Sequence, residues 1–160
     1  MAEVFEAVAE GDGGFSRRVA LKRCLPGEAD TPAFQQMFME EARVASGLHH
    51  PNVVAIWDCG VADGQPFQVM ELVEGLDSEA LLLGQGDEAL ARSMPPAQAL
   101  YLAAEVARGL AHVHAACGED GRPLGLVHRD VSPSNVLVSW AGEVKLADFG
   151  IVYARQRLHR

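Results

Sequence analysis

The stretch from His128 to Gly150, HRDVSPSNVLVSWAGEVKLADFG, sets the strictest limit on what this chain can become. It places two acids and an amide, Asp130, Asn135 and Asp148, in a setting of short apolar strands, NVLV and EVKLA. Such short runs read as a small hairpin, which is marginal in water unless something larger covers it. The rest of the chain has to supply that body.

At 160 residues the chain is one domain's worth, long enough to bury a real core. Val4 to Val8 and Val19 to Leu21 read as strands joined by the glycine-rich turn EGDGGFS. Thr31-Pro32 is a plausible N-cap and first-turn pair for a helix. Its apolar stripe is Phe34, Met37, Phe38, Val44, Ala45 and Leu48. VVAIWD and FQVMELV read as two strands around the turn ADGQP. From Gly75 the pattern is a loop or short helix with a turn-like GQGDE. Ser93 and Pro95-Pro96 open a second long helix, with Leu100, Ala103, Ala104, Ala107, Leu110, Ala111 and His114 as its expected inner stripe. Strands and one helix come first, then mostly helix with a hairpin, which is an α+β plan.

Composition removes several function classes. A net charge of −9 and a pI near 5.0 argue against a nucleic-acid footprint, and Arg155, Arg157 and Arg160 are too few to reverse that. Cys24, Cys59 and Cys117 are widely spaced, with no CxxC, so neither a disulfide framework nor a zinc site is indicated. A reduced, cytoplasmic compartment is the expectation. No apolar run reaches the length of a membrane span, and the acidic N-terminus shows no signal peptide. His112 and His114 stand two apart, on different helix faces, which suits metal ligation poorly.

Position 41 breaks the first helix's stripe: periodicity asks for an apolar residue and the chain has Glu41. A carboxylate there costs free energy unless a cation pairs with it. Lys22, ending the strand RVALK, is the candidate, on the same strand face as Ala20. Taken singly, the two read first as a surface lysine and a helix-edge glutamate. Glu40 lies off the stripe and reads as a solvated charge. A lone Asp-Phe-Gly would likewise be only a turn. HRD with Asn five residues after the acid, followed by DFG eighteen residues after it, is far more specific.

That spacing matches H-R-D-x-x-x-x-N and D-F-G of the protein kinases. The chain resembles the eukaryotic-type protein kinase family, and most of all its bacterial serine/threonine members. The resemblance runs over essentially the whole sequence. It implies a bilobal fold, with a β-rich N-lobe and hinge over residues 1–73 and a partial helical C-lobe over residues 74–160. It implies ATP and Mg²⁺ as cofactors and a protein Ser or Thr hydroxyl as acceptor. VALK resembles the strand whose lysine holds the α/β-phosphates, here Lys22, and MEEA resembles the helix whose glutamate pairs with it, here Glu41. HHPNVV looks like the family's link to the next strand. VMELVEG resembles the hinge, with Met70 as gatekeeper and Glu71 to Val73 at the adenine edge. Val4, Ala20 and Leu137 are similar to the residues that sandwich adenine. Asp130 matches the acid that takes or orients the acceptor's proton, and Asn135 and Asp148 match the Mg²⁺ ligands. Arg129 resembles the arginine that contacts a phosphorylated activation loop, while His128 and Phe149 read as core.

Three departures qualify the resemblance. MAEVFEA is similar to the second half of the glycine-rich loop, with Ala2 at the third glycine position, so Met1 is expected to be internal to a longer parent. The A-P-E motif, the peptide-docking loop and later helices are not in this stretch. The 160 residues alone are therefore expected to be catalytically poor and conformationally loose. Ser132 stands where serine/threonine members usually carry lysine, and tyrosine-kinase patterns at this loop are unmatched too. Two other readings stay open: a non-catalytic nucleotide-binding or interaction fragment, and a small-molecule phosphotransferase.

Overall fold

The computed structural model describes residues 2–25, 31–83, 94–118 and 120–149. Ser93, GQGDE, Gly150 and the arginines at the end lie outside them. The described residues form an α+β structure that divides into two compact units. One holds the chain up to Gly47 together with Ala55–Leu72, and the other holds Leu48–Val54 and the chain from Val73.

The first unit is an antiparallel four-stranded sheet with a helix on it. Its strands are β1 (Ala2–Glu10), β2 (Ser16–Cys24), β3 (Ile56–Ala62) and β4 (Gln65–Met70), in the order β1-β2-β4-β3. β1 and β2 run well beyond the expected Val4 to Val8 and Val19 to Leu21. Their apolar residues mark only part of each strand, because charged positions such as Glu6 and Arg18 face solvent and pair there at 2.7 Å. β3 and β4 are joined through Asp63 and Gly64, both with left-handed φ (51° and 75°), as the mirror-image hairpin turn requires.

Helix α1 (Pro32–Ala45) starts at the expected Thr31-Pro32 pair, although Thr31 caps it with its carbonyl rather than its side chain. Phe38, Ala42, Val44 and Ala45 are buried, but Met37 is 48% exposed, so the packed stripe is narrower than periodicity suggested. Cys24 of β2 is fully buried and clusters with Phe38, with Phe34 and Met39 around them. Gln68 of β4 is also buried, and its Nε2 donates to the Phe38 carbonyl at 3.2 Å, tying sheet to helix.

The second unit contains a three-stranded antiparallel sheet, β5 (Gly75–Asp77), β6 (Val136–Ser139) and β7 (Val144–Leu146), with helices α2 (Ser78–Leu83) and α3 (Pro96–Ala115). The segment Leu48–Val54 belongs here because it extends this sheet. Val53 bridges Leu146 in parallel, Leu146 N–H donates to the Asn52 carbonyl, and Val54 N–H donates to the Leu146 carbonyl. The buried Asn52 side chain donates to Glu105 Oε2 of α3 at 2.8 Å and to the Val144 carbonyl of β7 at 2.9 Å.

The inner face of α3 differs from the expected one. Gly109 and Val113 are buried, and Leu102, Glu105, Val106, Leu110 and His112 are half-buried. Leu100 is 71% exposed, and Ala103, Ala104, Ala107, Ala111 and His114 are exposed as well. The helix is apolar on two faces, so periodicity alone could not choose between them. Gly109 chooses, because only a residue without Cβ admits the Asn52 backbone so close. A Cβ at 109 would lie 2.7 Å from the Asn52 carbonyl oxygen. Among the described residues no helix is long and apolar enough to cross a membrane.

Gly109→Ala in an exposed helix would stabilise by about 1 kcal/mol through propensity. Here the contact is with backbone and cannot swing away, so the substitution is expected to destabilise by roughly 1–3 kcal/mol, the usual overpacking range. Urea unfolding of the two proteins gives the sign, and a stabilised variant would refute the packing argument.

Candidate active site

Asp130, Asn135 and Asp148 all belong to the second unit, and backbone hydrogen bonds hold them together. Residues 128–135 form a loop ending in a short 3₁₀ turn, Pro133–Asn135, that leads into β6. Asp148 lies two residues after β7. Between them, Ala147 is tied to the loop by both peptide groups. Its N–H donates to the Asn135 carbonyl at 2.9 Å, and its carbonyl faces His128 Nε2 at 3.1 Å. Asn135 then sets the acid: its Nδ2 donates to both the backbone oxygen and Oδ2 of Asp130, each at 3.0 Å.

His128 is 1% exposed and rests against Phe149, itself buried, with ring centroids 4.5 Å apart. Its Nδ1 accepts the Asp130 N–H at 3.3 Å. A nitrogen that accepts carries no proton, and the Ala147 carbonyl can only accept, so the ring is neutral with its proton on Nε2. Burial holds the His128 pKa below the ordinary histidine value, against the opposing pull of the Ala147 carbonyl and Asp130. Both His128 and Phe149 are the core residues that the sequence suggested.

Two non-glycine residues here have left-handed backbone, Arg129 (φ 66°) and Asp148 (φ 54°). Aspartate tolerates that region better than arginine, and each such residue costs on the order of 1 kcal/mol or more. The surrounding hydrogen bonds hold both conformations in place. Asp130 and Arg129 are exposed, and Asn135 and Asp148 are half-buried.

The first unit carries another set. Cross-strand register pairs Val4 with Lys22 and Ala20 with Met70, so the four side chains share one face of the sheet. Ala20 and Met70 are 8% exposed and Val4 is 57% exposed. Lys22 also stands opposite Gln68 and two residues before Cys24, the pair that reach α1. Lys22 therefore lies on the face that α1 covers, and Glu41 is three residues beyond Phe38 on that helix. Both are half-buried and both have polar or electrostatic partners. Glu40, expected to be solvated, is half-buried too, and it accepts from Arg43 Nη2 at 2.7 Å and from Arg43 Nε at 3.0 Å.

Glu71 binds back onto its own unit: its N–H donates to the Ala55 carbonyl, and its Oε2 accepts the Ala55 N–H. Val73 is half-buried, as is Leu137, which lies in β6 between Asp77 and Lys145. Sequence reasoning missed Asn52, whose role depends on partners 53 and 92 residues away and has no local signal. It also missed Asp77, whose Oδ1 accepts the Ala80 N–H at 2.7 Å and starts α2. An acid just before SEALLL is the cue that could have found it.

Over residues 1–158 the sequence matches the family described as protein tyrosine and serine/threonine kinase. The chain belongs to that family. It is 42% identical over 158 residues to the tyrosine-protein kinase MasK of Myxococcus xanthus, covering 99% of this chain and 24% of that protein. It is 41% identical over 143 residues to the serine/threonine-protein kinase PknL of Mycobacterium tuberculosis, covering 89% of this chain and 32% of PknL. The crystal structure of the Mycobacterium tuberculosis PknI kinase domain is similar at a TM-score of 0.74 and 31% identity, over 95% of this chain and 56% of that one. The chain thus spans a third or less of these full-length kinases and about half of a solved kinase domain.

The donor chemistry suits the cation that kinases use. Asn135 commits its amide nitrogen to Asp130, so its carbonyl oxygen is the end suited to a cation, and Asp148 adds a carboxylate. Two hard oxygen donors fit Mg²⁺, which takes its remaining ligands from phosphates and water. Among the described residues no group of three or more His, Cys, Asp or Glu forms a metal site by itself.

The His128 arrangement predicts a pH effect. A histidine whose folded pKa is depressed takes up its proton more readily when unfolded. Stability is then full above about pH 6.5 and falls as pH drops through the folded-state pKa. Urea unfolding from pH 8 to pH 5 is expected to show this loss, and His128→Gln should reduce the slope. An equal slope in both proteins would place the pH sensitivity elsewhere.

Proposed function

We propose that this chain supplies the nucleotide-handling and catalytic residues of a kinase that transfers the γ-phosphate of ATP to Ser or Thr hydroxyls of proteins. The observation that carries the reading is the double hydrogen bond from Asn135 to Asp130, next to Asp148 on a stapled backbone. Phosphoryl transfer asks for alignment and charge neutralisation more than for covalent chemistry, and this arrangement suits that demand.

In this reading residues 1–73 serve as the nucleotide lobe and hinge, and residues 74–160 begin the second lobe. Val4, Ala20, Met70 and Leu137 contact adenine, and the backbone of Glu71 to Val73 reads its edge. Lys22 holds the phosphates and is itself held by Glu41. Asp130 orients the acceptor hydroxyl and takes its proton. Asn135 and Asp148 hold Mg²⁺, which would neutralise charge on the phosphates. Three free thiols and the acidic surface are in keeping with a reduced, cytoplasmic setting without a nucleic-acid partner.

The test is peptide phosphorylation by the full-length protein with Mg²⁺-ATP. Asp130→Asn is expected to lower kcat by about 10²–10⁴, the range for losing a positioned proton acceptor. Lys22→Met is expected to cost about 10²–10³, the range for losing one charge-stabilising donor. Glu41→Gln should be more harmful than Glu40→Gln, because Glu41 continues the packed stripe of Phe38 while Glu40 binds Arg43 on its own helix. Reversed effects of the two glutamates would rule out the Lys22–Glu41 pairing. Ser132 leaves the loop without a lysine, and MasK is named a tyrosine kinase, so serine, threonine and tyrosine peptides should be compared. Phosphate found mainly on tyrosine would overturn the acceptor assignment.

A further inference from the structure

We propose that Ser78 is a positioning residue for Asp130, acting through the backbone of the catalytic loop. This rests on the phosphotransfer reading above. Ser78 opens α2 and is 6% exposed. Its Oγ donates to the Pro133 carbonyl at 2.8 Å, across 55 residues of sequence. Helix formation at α2 does not need this bond, because Asp77 Oδ1 already accepts the Ala80 N–H. A buried hydroxyl that reaches out of its own helix to a loop carbonyl constrains the loop.

The bond lands at a sensitive place. The Pro133 carbonyl also accepts the Val136 N–H and so closes the 3₁₀ turn Pro133–Asn135. That turn presents Asn135, whose Nδ2 donates to Asp130 O and Oδ2. Ser78 therefore fixes the turn, the turn fixes the amide, and the amide fixes the acid. Pro133 has no N–H of its own to anchor it, so its carbonyl is the group by which the loop can be held there. The placement of Ser78 is itself rigid. β5 lies so close to β6 that a Cβ at Gly75 would come 1.9 Å from the Val138 carbonyl oxygen. β5 runs directly into α2, so this close approach sets where Ser78 begins. Ser132 and Ser134 bond each other through their hydroxyls at 3.0 Å and add nothing that could replace the tie to α2.

The experiment compares Ser78→Ala and Ser78→Thr with the parent in the full-length protein. With Mg²⁺-ATP and peptide, Ser78→Ala is expected to lower kcat about tenfold, the effect of one lost hydrogen bond, with KM for ATP within roughly twofold. Ser78→Thr keeps a hydroxyl and should recover most of the loss. Amide exchange without nucleotide supplies a readout independent of activity. Ser78→Ala should speed exchange at Asn135, Val136 and Ala147, and leave Leu146 and Val54 unchanged. An unchanged kcat in Ser78→Ala would overturn the proposal, as would equal acceleration at Leu146 and Val54, which would mean general loosening. A parent that phosphorylates no peptide would defeat the kinase reading instead, and the exchange pattern would still decide whether Ser78 holds the loop.

Discussion

The candidate site depends on one residue with no functional side chain, Ala147. Its N–H is bound by the Asn135 carbonyl and its carbonyl by His128 Nε2. Because both peptide groups are committed, the residue after it, Asp148, cannot drift relative to the loop that carries Asp130 and Asn135. Buried backbone groups must find partners, and here the two partners are the ends of that loop. The ordering bonds thus converge on the Ala147 main chain, while Asp130 stays exposed and Asn135 and Asp148 half-buried.

Strain fits into the same scheme. Left-handed backbone at Arg129 and Asp148 is unfavourable by itself and persists only where neighbours over-determine it. His128, next to Arg129 in the chain and bonded to the residue before Asp148, is buried and neutral, held through both nitrogens and packed on Phe149. Below this layer, Asn52 binds α3 and β7 with one amide, which locks the sheet on which the strained residues stand.

The first unit organises its candidates by strand register. A slip of one residue between β2 and β4 would leave Ala20 and Lys22 on the opposite face from Met70. The two-residue turn at Asp63-Gly64 sets how β4 follows β3, and Gln68 pins β4 to α1. These contacts put Lys22 on the helix-covered side. An isolated glance at RVALK could not separate that placement from a surface lysine.

The sequence by itself determined the α+β order, the start of α1 at Thr31-Pro32, the β6–β7 hairpin and the kinase motif spacing. Each of these is local: a few residues within one element or loop carry the signal. Glu41 stood out for the same reason, as a charge breaking a helical period. The tertiary structure alone decided which face of α3 is inner, because two apolar stripes compete and a single glycine against Asn52 settles the contest. It alone decided that Leu48–Val54 joins the second sheet, that Ala147 staples the loop, and that Ser78 meets Pro133. Those contacts join residues far apart in the chain, and whether a polar group is buried depends on the partner that arrives. No local pattern encodes that partner.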